Sequence, residues 1–485
     1  MPLDLVLNTL NEPTAPLAFP EARQDRLYRL LKTAILAGQL VRGTRLPSTR
    51  QLARDYRMAR NSVLFAYQQL LAEGFLQADR GGTRVSPLPL DKAQPTPAKP
   101  LAMPVLSQRA RQLPRTSGVE SPVPFVLGVP DLHAFPWPAW SREVQRAWHD
   151  VGAHQVANAV PGGEPALRRA VATFLCVRRG VACSAEQVFI FPGSQTALDA
   201  CARLLADSGD TMWMEEPGYL PARNAMLAAG LRMIPIPVDR DGMAVDADLL
   251  RTAPPRLVYV TPSHQYPLGS VLSLERRLDL LNHLDDGNGT EPRWLIEDDY
   301  DSDFNHARPG TPLPAIQGLR PDAPVIYVGT FSKLLYPGLS IAYMVVPRWA
   351  VDDLGEAIRT LYRGGQAVEQ RALARYLDSG QLTRHMRRMA PIYRERQRIL
   401  RAELHARFGE DCDILGGQAG LHLVLRLPVE QLDTELAEAA RQRGVIARAL
   451  SSYYSDPARS DNGLVLGYGM VEATQIAERV RRLAG

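Results

Sequence analysis

Apolar residues recur along this chain with two different periods, and the change of period divides it. From Arg23 the run RQDRLYRLLKTAILAG sets Leu27, Leu30, Leu31, Ala34 and Ile35 three or four residues apart. That spacing predicts a one-faced helix closed at Gly38. Leu46-Pro47-Ser48 opens a second helix with Ser48 as its N-cap. A third is predicted from about Arg60 to Glu73, turning Val63, Ala66, Tyr67, Leu70 and Leu71 inward and stopping at Gly74. FLQADRGGTRVS then reads as two short strands about a Gly-Gly turn. Beyond residue 125 the pattern changes to short apolar runs: VFIF (188–191), TMWM (211–214), RLVYV (256–260), WLIE (294–297), VIYV (325–328) and IAYMVV (341–346). Helical stretches such as TALDACARLLADSG lie between them. Such alternation predicts βαβ units and a largely parallel sheet covered on both faces. Near the C-terminus GLHLVLRL, GVIARAL and GLVLGYG, again between helices, predict a smaller α/β subdomain.

Between the two regimes, residues 87–124 hold nine prolines in 38 positions and little apolar periodicity. Proline at that density predicts an extended, partly stiff linker. The 485-residue length suits two or three domains, and 45% hydrophobic with 22% charged residues suits packed cores. The N-terminus lacks a secretory pattern and no segment is a membrane-span candidate, so a cytoplasmic protein without membrane contact is expected. Cys176, Cys183, Cys201 and Cys412 have neither C-x-x-C spacing nor a dense pattern, so structural thiols and no metal site are expected. Charge sharpens the division. Residues 21–86 carry 12 Lys+Arg against 5 Asp+Glu, leaving 44 against 47 in the rest. Basic charge gathered in one small unit is an electrostatic footprint for phosphate backbones.

Two helices joined by YRMA, the second beginning Arg60-Asn61-Ser62, fit a helix-turn-helix. Arg60 and Asn61 would then reach base edges, where arginine binds guanine bidentately and asparagine binds adenine, with Ser62 beside them. Arg50 is placed for a phosphate or the groove, and Arg80 and Arg84 flank the turn of a wing. The pattern Tyr28…Ile35…Gly38…Gly43…LPSTR…LA…R-x-x-V…AY-x-x-L-x-x-EG…G-T-x-V resembles the GntR-type winged helix along its whole length. One departure is Ala59, where a Ser or Thr cap is common.

The stretch GTFSK (329–333) ends a predicted buried strand on a lysine between small hydroxyls, Thr330 and Ser332. Desolvation gives a lysine a neutral amine that attacks aldehydes. Its companions match the needs of pyridoxal phosphate, which are an anionic partner for the ring nitrogen, a donor for the ring oxygen, a stacking aromatic and a phosphate cradle. In EDDYDSDF Asp298 supplies the first and Tyr300 the second. FPGSQTALD places Gly193, Ser194 and Gln195 between a strand and a helix, where backbone amides hold a phosphate. Tyr219 of EEPGY is the stacking candidate, and His264 and Gln265 of TPSHQYPLG are further ring contacts.

These stretches in this order resemble a fold type I aminotransferase across 125–485, and with the winged helix they resemble the MocR family of transcriptional regulators. The resemblance implies a multidomain chain. It comprises an α+β winged helix-turn-helix at 20–86, a linker at 87–124, and an α/β fold type I aminotransferase-like domain with a small C-terminal α/β subdomain at 125–485. It implies pyridoxal 5′-phosphate on Lys333 and sensing of a small amino compound by transaldimination. It also implies a head-to-tail homodimer on DNA with repeated half-sites. A working aminotransferase with an accessory DNA-binding domain, and a direct sensor of pyridoxal phosphate, are the alternatives. Two departures bear on the site. Ser340 stands where the family has a phosphate-binding arginine, with Arg223 a substitute cation. The C-terminal strand LVLGYG lacks the usual carboxylate-binding arginine, leaving Arg448 of GVIARAL as the expected clamp for an anionic effector group.

Overall fold

The computed structural model describes residues 22–79, 81–87, 106–113, 125–152, 159–284, 293–304, 306, 314–410, 412–456 and 460–485. The chain divides into two compact units, Met1–Val105 and Leu106–Gly485.

In the first unit the three predicted helices form at Arg23–Leu36, Thr49–Asp55 and Arg60–Ala72. Leu27, Leu31, Ile35, Leu52, Val63, Tyr67 and Leu70 fill the core between them. Ser48 caps the second helix, accepting from the Gln51 amide at 3.2 Å. The third begins at Ala59 with no side-chain cap bond, as its sequence dictates. Strands β1 (Leu76–Asp79) and β2 (Gly82–Val85) pair antiparallel as the wing.

The second unit is built on a mixed eight-stranded sheet. In chain order its strands are β3 (Val188–Phe191), β4 (Thr211–Glu216), β5 (Arg232–Asp239), β6 (Gly242–Met243), β7 (Leu257–Val260), β8 (Trp294–Asp299), β9 (Val325–Thr330) and β10 (Ala342–Val345). Their spatial order is β3-β10-β9-β8-β7-β4-β5-β6. The run β9-β8-β7-β4-β5 is parallel, as the continuous apolar segments predict. β10 runs antiparallel between β3 and β9, a direction that apolar content alone does not encode. A second sheet, ordered β11-β12-β14-β13, comprises β11 (Ile414–Gly416), β12 (His422–Arg426), β13 (Arg448–Ala449) and β14 (Gly463–Gly467). It is the predicted C-terminal subdomain.

The linker reading needs one correction. Residues 106–113 include a helix, Gln108–Gln112, capped by Ser107, whose Oγ accepts from the Ala110 amide at 3.2 Å. Arg109 donates to the Ala228 carbonyl at 3.5 Å, so this piece belongs to the second unit. The segment between Pro104 and Pro114 is proline-free, and local capping stabilises a turn of helix there. The remainder of the predicted linker lies outside the described residues.

Candidate cofactor, effector and DNA sites

Strand alternation on β8 sends neighbouring carboxylates to opposite faces. Glu297 faces the helix Ile316–Leu319 and accepts from the amides of Ile316 (2.8 Å) and Gln317 (3.0 Å). Asp299 pairs with buried Arg179 at 2.6 Å and accepts from the Tyr327 hydroxyl. Asp298, between them, lines a cavity of about 1060 Å³. One of its oxygens accepts from Tyr259 on β7 at 2.7 Å. The other, Oδ1, is buried without a partner. Burial pushes this carboxyl up to about 7, the Tyr259 hydroxyl opposing the rise and the charge of Asp299 adding to it. A buried carboxylate oxygen with no donor is a place for a cationic N–H.

Lys333 reaches the same cavity from the turn after β9 and donates to the Gly128 carbonyl at 2.8 Å. Burial lowers its pKa, opposed by the charges of Asp301 and Asp298. The chain has four lysines, Lys32, Lys92, Lys99 and Lys333, so Lys333 is the one lysine of the 125–485 domain. Gly128, which sequence reasoning missed, makes room for it. Its φ is +69°, and a Cβ there would sit 2.2 Å from Lys333 Nζ. Gly128→Ala is therefore expected to displace the amine, at roughly 1–2 kcal/mol of left-handed strain besides the clash. A fall in both melting temperature and cofactor uptake measures it, and unchanged uptake would count against this role.

Thr330, Ser332, Ser194 and Gln195 line the same cavity. Gly193 (φ +94°) precedes the helix Ser194–Leu205, whose first-turn amides have no intrahelical acceptors. A Cβ on Gly193 would meet Ser340 Oγ at 2.8 Å, so Ser340 does stand beside the predicted phosphate cradle. Thr330 Oγ1 accepts from the Ser332 amide at 3.1 Å, which shapes the turn that carries Lys333. The Gln195 side chain donates to the Pro221 carbonyl at 3.0 Å, leaving its backbone amide for the cradle.

Other predicted contacts fall differently. Tyr219 and Tyr300 line the cavity. Tyr300 donates its hydroxyl proton to the His264 carbonyl at 2.9 Å, so in this arrangement that proton is not offered to a ring oxygen. Gln265 is turned away from the cavity, and its amide donates to the carbonyls of Pro217 (2.8 Å) and Tyr266 (2.9 Å). It braces a loop. His264 is buried behind Asp301, its Nδ1 3.0 Å from a carboxylate oxygen. With His422 these groups lie within 4.8 Å of one another, and His422 Nε2 is 2.9 Å from the Pro267 carbonyl. Burial beside His264 lowers His422 to about 3, so its ring is neutral. Asp301, His422, Tyr266 and Tyr453 all line the cavity and were not anticipated.

Arg223, the predicted spare cation, lines the cavity, and its Nε is buried without a partner among the described residues. Its guanidinium is buried against Glu216 at 2.8 Å and donates to the Tyr453 carbonyl at 2.9 Å. Glu216 also accepts from the amide and hydroxyl of Ser455. Arg448, on β13, lines the cavity, and its charge opposes the rise that burial imposes on Tyr266.

On the first unit Arg50, Arg60 and Asn61 are exposed, and Ser62 is half-buried in the first turn of the Arg60–Ala72 helix. Arg84 donates to the Gly43 carbonyl at 3.2 Å and lies half-buried on β2. Arg80 lies outside the described residues.

A lysine after β9, a carboxylate on β8 and a helix start after β3, converging on one cavity of a mixed sheet, define a fold type I aminotransferase domain. Residues 126–461 match the family described as aminotransferase class I and II, and residues 23–85 match the bacterial regulatory proteins, gntR family. The chain belongs to the MocR-type transcriptional regulators of the GntR family, which join these two domains. It is 38% identical over 471 residues to the probable rhizopine catabolism regulatory protein MocR of Rhizobium meliloti, covering 94% of this chain and 92% of the relative. It is 31% identical over 463 residues to the pyridoxine biosynthesis transcriptional regulator PdxR of Corynebacterium glutamicum, covering 94% and 93%. Among solved structures, α-aminoadipate aminotransferase LysN of Thermus thermophilus, complexed with N-(5′-phosphopyridoxyl)-L-leucine, superposes with a TM-score of 0.67. The two are 25% identical over 78% of this chain and 94% of that one. No helix among the described residues is long and apolar enough to cross a membrane.

Proposed function

We propose that this regulator binds pyridoxal 5′-phosphate through Lys333, reads a small amino compound by amine exchange at that lysine, and changes its hold on DNA in response. The observation that carries this reading is a lysine with a burial-lowered pKa sharing a cavity with the unpartnered Asp298 Oδ1. When bound, the cofactor supplies an aldehyde carbon that accepts a primary amine. The residues of this chain do the rest. Asp298 would accept the N–H of the ring nitrogen, and the first-turn amides after Gly193 with Ser332 and Thr330 would receive the phosphate. Tyr219 walls the ring. Burial lowers the Lys333 pKa, which favours the neutral amine relative to an exposed lysine. A cytoplasmic, head-to-tail homodimer on repeated half-sites belongs to the same reading.

Arg448 sets the ligand class. Its fork of donors suits a planar or trigonal anion, so the effector is an amine with a carboxylate or sulfonate at its far end. Arg448→Lys keeps the charge and loses the bidentate geometry, which is expected to cost about 1.5–3 kcal/mol in ligand binding. Titrating cofactor-loaded wild type and variant with such amines, followed by visible absorbance, checks it. Identical responses would remove Arg448 from the site. The function itself is tested by DNA affinity of loaded protein with and without the best amine. Sustained release of keto acid with no change in DNA binding would replace sensing by turnover.

A further inference from the structure

The helix Arg60–Ala72 turns Val63, Ala66, Tyr67 and Leu70 into the core. At 100° per residue the opposite face is centred on Asn61, Phe65 and Gln68. Asn61 and Gln68 are ordinary polar residues for an exposed face. Phe65 is not, since it stands 42% exposed in the middle of that face, with Leu64 38% exposed beside it. Their neighbours say what covers them. Arg60 precedes them in the first helical turn, Arg50 and Arg54 are exposed on the preceding helix, and Arg45 is exposed at the wing's foot. An apolar side chain on a helix face shared with Asn61 and Gln68, in a unit that exposes several arginines on the neighbouring elements, suits a polyanionic partner whose contact surface carries a methyl group. The major groove of DNA offers that combination, because thymine presents its C5-methyl next to the adenine edge that Asn and Gln bind.

We propose that Phe65 is a base-reading residue that packs on thymine methyl groups, so that this helix recognises A·T pairs by joint amide and apolar contact. Asn61 and Gln68, within one turn on either side of Phe65, address the adenine edges of the same or adjacent pairs. The inference rests on the DNA-binding role of the winged helix and goes beyond it by naming the bases read and the atom that distinguishes them. Phe65 neutralises no phosphate, so its contribution is insensitive to salt, unlike that of Arg60 or Arg50.

The test separates the two levels. Full-length protein selects duplexes from a randomised pool, and the resulting consensus is synthesised with deoxyuridine replacing thymidine at one position at a time. Uracil pairs as thymine does and lacks the methyl. Wild-type affinity is expected to fall about fourfold at one or two positions in each half-site, the factor that burying one CH₂ group is worth. Phe65→Ala should bind the two duplexes equally, more weakly than wild type, with the salt slope unchanged. Phe65→Gln, which keeps a long side chain on an exposed position, should do the same. Arg60→Ala should bind more weakly yet retain the preference for thymine. Wild-type binding that is sequence-specific yet indifferent to every uracil overturns the proposal and leaves the DNA-binding role intact. Retained thymine preference in Phe65→Ala overturns it too, as does a changed oligomeric state with that preference intact. Failure of the pool to yield any consensus overturns sequence reading by this helix altogether.

Discussion

Lys333→Ala is expected to abolish covalent retention of pyridoxal phosphate entirely. The ground is both chemical and numerical. A Schiff base needs a neutral primary amine, and burial favours that form by lowering the Lys333 pKa against the pull of Asp301 and Asp298. No second lysine exists in the 125–485 domain to take its place. Incubation with the cofactor, borohydride reduction and intact mass measurement should give one phosphopyridoxyl adduct on wild type and none on the variant. A far-ultraviolet circular dichroism spectrum like that of the wild type shows that the variant is folded. An adduct of equal yield on the variant would move the reactive amine elsewhere, and peptide mapping would find it.

Asp298→Asn is expected to separate stability from cofactor binding. The folded-state pKa of Asp298 is raised from 3.8 to about 7, chiefly by burial. Between those values the folded protein binds a proton that the unfolded chain has lost, so this group's contribution to stability falls as pH rises through the window. Above pH 7 the cofactor-free protein carries the full cost of a buried charge. Asparagine keeps an acceptor for Tyr259 and removes that charge. Cofactor-free Asp298→Asn should therefore exceed wild type by on the order of 2 kcal/mol at pH 8, the gain shrinking to nothing toward pH 4. Affinity for pyridoxal phosphate should fall by about 10- to 100-fold, the worth of one hydrogen bond to a charged group. Denaturant unfolding at two pH values and a cofactor titration read the two effects. A variant less stable at pH 8, or one that binds the cofactor as wild type does, would remove Asp298 from this role.

The parts of the molecule that were legible in the sequence are those governed by neighbours in the chain. The winged helix follows from period, caps and turn glycines, and Ser48 and Ala59 behave at their helix starts as their side chains require. Lys333, Asp298 and Gly193 were readable because each ends or follows a continuous apolar strand, and strand ends in parallel sheets converge on ligands. Contacts between distant segments were not readable. Gly128 and Lys333 are 205 residues apart, and nothing near Gly128 announces its partner. Gln265 looked like a ring contact from its motif, but the competing demand was local. Its amide satisfies two loop carbonyls that would otherwise be buried without donors. The ion pair of Arg223 with Glu216, seven residues before it, was likewise not announced by the neighbours of either residue.

The cradle after Gly193 has one more consequence. Among the described cavity residues the guanidinium groups are those of Arg223, paired with Glu216, and Arg448. The cradle itself would meet a dianionic phosphate with amide dipoles and hydroxyls, which orient it well. On the function proposed above, occupancy then follows free cofactor by ordinary mass action. Output becomes a product of two occupancies. Such a regulator works as a conjunction, answering its amine only in a cell with pyridoxal phosphate to spare, which is the cell able to make the enzymes that would metabolise that amine.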